Sequence, residues 1–126
     1  MIMITGGAFQ GKRGFAVSEF VLSERDIFDC SVRSISERSA ERCIVHYELA
    51  VKQLMIQDID PIGFTDKLNC DILIMNEIGC GIIPLEKSER EWREMTGRAG
   101  CIAAERASTV YRVCCGIATV IKGETN

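Results

Sequence analysis

Short, continuous apolar runs alternate along this chain with longer stretches in which apolar residues recur every three or four positions. The first run, Met1 to Ile4, is stopped by Thr5, Gly6 and Gly7, as expected of a central parallel strand covered on both faces. Phe15, Ala16, Val17, Phe20 and Val21 then give a helical stripe. Asp26 to Asp29 reads as a second short strand. Ser34-x-x-Glu37 has the form of a capping box, and Cys43, Ile44, Tyr47, Val51, Leu54 and Met55 follow at a period of 3.6, which predicts one helix from about Ser36 to Gln57. Asp60-Pro61 supplies an N-cap and a first-turn proline for a short helix through Leu68.

Asp71 to Met75 is a further buried run, left through the glycine-containing turn from Asn76 to Gly81. Trp92, Met95, Ala99, Ile102 and Ala103 mark a long amphipathic helix from about Glu86 to Ala107, in which Gly97 and Gly100 are expected to permit close packing. Thr109 to Cys115 is apolar and β-branched and reads as a strand, and Ile117 to Lys122 adds an edge strand. Strands alternating with helices predict an α/β fold of three layers around a mostly parallel sheet. No linker or repeat divides the chain, so residues 1–126 are expected to form a single nucleotide-binding domain.

Composition narrows the class. With 126 residues, 47% of them hydrophobic, the chain can bury a core of its own. Its formal charge is -3, with 15 basic residues interleaved among 18 acidic ones, which argues against a nucleic-acid partner. No run approaches the roughly 20 apolar residues of a membrane span, and a cytoplasmic location is expected. The seven cysteines form no C-x-x-C pair and have a single histidine for company. That pattern argues against zinc and predicts reduced thiols used as small hydrophobes.

The candidate chemistry begins at Gly6-x-x-x-x-Gly11-Lys12, set between a strand and a helix. Such a loop aims backbone N–H groups and a helix N-terminus at phosphate, and its lysine reaches the outer phosphate groups. Gly6, Gly7, Ala8, Phe9, Gln10, Gly11, Lys12 and Arg13 are therefore the candidate nucleotide contacts. Arg13 stands where a Ser or Thr hydroxyl would ligate magnesium. A guanidinium cannot ligate a metal, so Arg13 is read either as a phosphate donor or as a solvated residue of the first helical turn. Asp29 and Glu77, each at the C-terminal end of an expected parallel strand, are the candidate magnesium ligands, directly or through water. Turn capping is the other reading of Asp29. His46 is placed in the middle of a helix and given no role, and Trp92 and Tyr47 are read as core or interface residues.

"GGAFQGKRGFA", "NEIGCGIIP", "REMTGRAG" and "VYRVCCGIATVIKG" together resemble the adenosylcobinamide kinase/adenosylcobinamide-phosphate guanylyltransferase family of cobalamin biosynthesis, most specifically over residues 1–16 and about 71–123. The resemblance implies a P-loop NTPase-like fold of the recombinase type, ATP or GTP as the bound nucleotide, adenosylcobinamide as a corrinoid substrate, and homo-oligomeric assembly. It assigns Gly6, Gly7, Gly11 and Lys12 to the phosphates and makes Lys12 and Glu77 catalytic. Full-length members carry Ser or Thr where Arg13 stands and a central region holding the histidine that accepts the guanylyl group. The expected activity is accordingly that of a kinase without guanylyl transfer, and the other reading is a catalytically silent nucleotide- or phosphate-binding partner.

Overall fold

The computed structural model describes residues 1–78 and 86–123. Six strands, β1 (Ile2–Gly6), β2 (Ile27–Asp29), β3 (Cys43–Val45), β4 (Ile72–Asn76), β5 (Thr109–Cys114) and β6 (Ile117–Lys122), form one sheet in the order β2-β3-β4-β1-β5-β6. All neighbours are parallel except β5 and β6, which form an antiparallel hairpin. The first strand is central, with Ile2 opposite Ile72 on one side and Thr109 on the other.

Strand periodicity divides the core. Ile4, Ile72, Ile74, Cys43, Val45 and Val113 face helix α1 (Lys12–Phe20) through Ala16. Met3, Leu73, Met75, Ile44, Phe28 and Val110 face the opposite way. There they meet α2 (Tyr47–Ile56), α3 (Pro61–Lys67) and α4 (Lys87–Arg106). Helices on both faces of a mostly parallel sheet make the three-layer α/β architecture expected of a P-loop NTPase-like fold. Among the described residues, no helix is long and apolar enough to cross a membrane.

Local chemistry explains most of the boundaries. Asp60 accepts hydrogen bonds from the Ile62 and Gly63 amides at 3.1 and 3.3 Å, and Pro61 takes the first position of α3. The buried Tyr47 hydroxyl lies 2.7 Å from that of Thr65, which donates to the Pro61 carbonyl. Gly100 lies against the Met75 thioether, where a side chain would come into contact, whereas Gly97 faces open space.

The stretch before α2 departs from the expected helix. Instead of one helix from Ser36 to Gln57, the chain makes a single 3-10 turn (Ile35–Glu37), strand β3, and only then α2. The Ser34 hydroxyl pairs with that of Ser36 and caps no α-helix. Every residue of β3 is buried, so the strand carries no polar alternation, and its apolar run passes for the beginning of a helical stripe. A reciprocal cap does occur at Ser23, whose amide donates to Asp26 Oδ2 at 2.9 Å.

The cysteines also divide. Cys30 and Cys43 are buried, and burial pushes both thiols up to about 12, as small hydrophobes would show. Cys101, Cys114 and Cys115 are free but exposed, so the small-hydrophobe reading does not extend to them. The turn glycines Gly79 and Gly81, together with Cys80 and Pro84, lie outside the described residues.

Candidate functional site: a phosphate loop between two strand ends

The loop leaves β1 at Gly6 and enters α1 at Lys12. Gly6 has φ +147°, and a Cβ there would lie 2.4 Å from the Val113 carbonyl oxygen, so only glycine fits between β1 and β5. Gly11, at φ +93°, is the N-cap of α1 and provides no side-chain cap, and the first turn contains no acidic residue. The α1 N-terminus is therefore an electropositive end with amides left for an incoming anion. Gln10 anchors the loop to the β5–β6 turn, since its side chain accepts from the Cys115 amide at 2.6 Å and its carbonyl accepts from the Gly116 amide at 2.9 Å.

Lys12 is 6% exposed and donates from Nζ to the Gly7 carbonyl at 2.5 Å. Burial pushes its ammonium below the ordinary lysine value, and the charges of Glu48 and Glu77 oppose that shift. Beside it opens a cavity of about 240 Å³, lined by residues 8–14 on one side and by Val45, His46, Ile74 and Asn76 on the other.

His46 therefore stands in the site rather than inside a helix. It follows β3 directly, with φ +59°, as the N-cap residue of α2. Its Nδ1 lies 3.2 Å from Glu48 Oε2, and Glu48 Oε1 accepts from the Asn76 amide at 2.9 Å. Glu48 is 3% exposed, a buried carboxylate that ties the ends of β3 and β4 together. Sequence reasoning passed over it; the one signal was an acidic residue inside the apolar run Ile44 to Val51. Trp92 sits nearby and is used within the chain, its indole N–H donating to the Glu48 carbonyl at 2.8 Å and Lys52 lying over its ring.

The two expected magnesium ligands are engaged by different arginines. Asp29, at the end of β2, accepts from Arg13 at 3.2 Å through Oδ2 and from the Ser31 amide and hydroxyl through Oδ1. Burial raises this carboxyl, but the Ser31 hydrogen bonds and the His46 and Arg13 charges outweigh it and hold it below the usual value. Arg13, half exposed in the first turn of α1 and part of the cavity lining, is thus paired with Asp29. Glu77, just beyond β4, is gripped by both nitrogens of a planar fork, with Arg112 Nε at 2.9 Å and a terminal Arg112 nitrogen at 3.1 Å.

Magnesium in a phosphate loop needs the hydroxyl after the lysine and an available carboxylate. Here the hydroxyl is replaced by Arg13, and each oxygen of Asp29, Glu77 and Glu48 already has a hydrogen-bonding partner. Among the described residues, no group of three or more His, Cys, Asp or Glu side chains is placed to hold a metal ion. The residues present do not fit magnesium.

Residues 62–121 match the sequence model of the family described as cobinamide kinase / cobinamide phosphate guanyltransferase. No curated protein matches the chain. The matched segment takes in most of α3 and β6 and all of β4, α4 and β5, with Glu77 and Arg112 inside it and the loop, Asp29, His46 and Glu48 outside. The similarity to the cobinamide kinase / cobinamide phosphate guanyltransferase family, a family of cobalamin biosynthesis, is thus established over residues 62–121, just under half of the chain.

Proposed function

We propose that the chain binds a nucleoside triphosphate, ATP or GTP, on the loop from Gly6 to Arg13 and acts in cobalamin biosynthesis as a phosphotransferase on a cobinamide. The observation that carries this reading is Lys12, withdrawn from solvent at the uncapped N-terminus of α1 and facing a cavity the size of a small ligand group. In this reading Lys12 and the first-turn amides of α1 hold the outer phosphates. Glu77 serves the site by fixing Arg112 beside Gly7 and Gln10.

His46 supplies a proton acceptor. An ionised Glu48 can only accept, so the neutral ring carries its hydrogen on Nδ1 and keeps its lone pair on Nε2. An acceptor hydroxyl reaching the cavity would meet a base whose orientation a buried carboxylate fixes.

A second reading is favoured by the engaged carboxylates: a nucleotide-binding protein that transfers nothing. Turnover separates the two. Incubation with ATP or GTP and adenosylcobinamide should yield the phosphorylated corrinoid, and a protein that binds nucleotide yet forms none would be a binding partner only. Lys12→Ala should abolish nucleotide binding in both readings, and unchanged affinity would refute both.

A further inference from the structure

We infer that this loop binds its nucleotide without help from magnesium, the carboxylates around it being already engaged by donors of the chain itself. The inference rests on the nucleotide reading above. Its basis is a pattern across three carboxylates that come from different strand ends.

Asp29 ends β2, Glu48 lies in the first turn of α2 just beyond β3, and Glu77 follows β4. Among the described residues these three carboxylates lie around the loop, and each of their six oxygens already has a hydrogen-bonding partner. Asp29 is shared between Arg13 and Ser31, Glu77 is held by both arms of Arg112, and Glu48 is divided between the Asn76 amide and His46. At Asp29 or Glu77 a divalent ion would compete with a guanidinium that cannot lose its charge, and a displaced arginine would then stand next to the ion; at Glu48 it would compete with the Asn76 amide and His46.

Arg13 is the decisive residue because it changes two things together. It removes the hydroxyl ligand from the position after Lys12, and it occupies the carboxylate that would be the second ligand. A hydroxyl at position 13 with a free Asp29 would restore both.

The test is isothermal titration of ATP and GTP into the full chain, with EDTA and with millimolar magnesium, for wild type and for Arg13→Ser. Arg13 is half exposed, so the substitution removes little packing. Wild type should bind with the same affinity in both buffers, to within about twofold, and Arg13→Ser should bind about tenfold more tightly with magnesium than without, the scale of one charge-assisted contact. Arg13→Lys, which keeps the charge and supplies no hydroxyl, should remain indifferent to the metal. Wild-type binding that appears only with magnesium would overturn the inference and leave the nucleotide reading standing. No binding in either buffer would overturn both, and an Arg13→Ser protein as indifferent as wild type would remove Arg13 from the explanation.

Discussion

The two flanks of the phosphate loop are built differently. On the β5–β6 side the loop is clamped: Gly6 presses on Val113, Gln10 bonds the amides of Cys115 and Gly116, and Glu77 is held by the Arg112 fork. On the β2–β3 side one exposed ion pair, Arg13 with Asp29, reaches across, and the cavity lies there between the loop and the ends of β3 and β4. One flank sets the shape of the loop, and the other holds the cavity in which the proposed nucleotide would bind. Damage to the clamped flank should therefore appear as lost stability, and damage on the open flank as altered binding.

The largest effect is expected on the clamped side. Gly6→Ala places a methyl against a backbone oxygen that cannot move without disturbing β5, and it should cost about 3 kcal/mol in chemical denaturation. A loss below about 1 kcal/mol would mean that the contact between β1 and β5 yields easily. Next is Gln10→Ala, which leaves the Cys115 amide without its partner and should cost about 1 kcal/mol. Arg13→Ala, with a solvent-screened partner on the open side, should change stability by less than about 0.5 kcal/mol.

Proton linkage gives a subtler contrast. Burial lowers the Lys12 pKa, so the free protein loses this charge at a lower pH than an ordinary lysine, and a bound phosphate favours the charged form. Nucleotide affinity should thus fall as pH rises toward the ordinary lysine value of 10.5, and the part of that fall due to Lys12 should be missing in Lys12→Ala. An affinity flat across that range would show that Lys12 does not touch the phosphates. On the open flank the sign is reversed: Asp29, held low, contributes stability that is present above its unfolded value and lost as the pH falls through its folded one.

What the sequence disclosed follows the range of the interactions involved. The loop, the Asp60 cap of α3 and the long helix α4 depend on neighbours within a few residues, and all three are readable from spacing. The β3 strand was not, because three buried residues between a polar turn and a helix show no alternation. That omission displaced His46 from a strand end into a helix interior. Glu48 and Arg13 were illegible for another reason: their partners, the Asn76 amide and Asp29, lie 28 and 16 residues away in the chain. The matched family segment covers Glu77 and Arg112 on the clamped flank and does not include Arg13, Asp29, His46 or Glu48 on the open one.

The central claim is that Lys12 and the loop around it hold a nucleotide. It is tested most directly by titrating ATP into wild type and into Lys12→Ala under one condition. The account predicts saturable one-site binding by wild type and a loss of about a hundredfold or more in the variant, the scale of a buried charge-assisted contact. Equal affinities in the two proteins would contradict it.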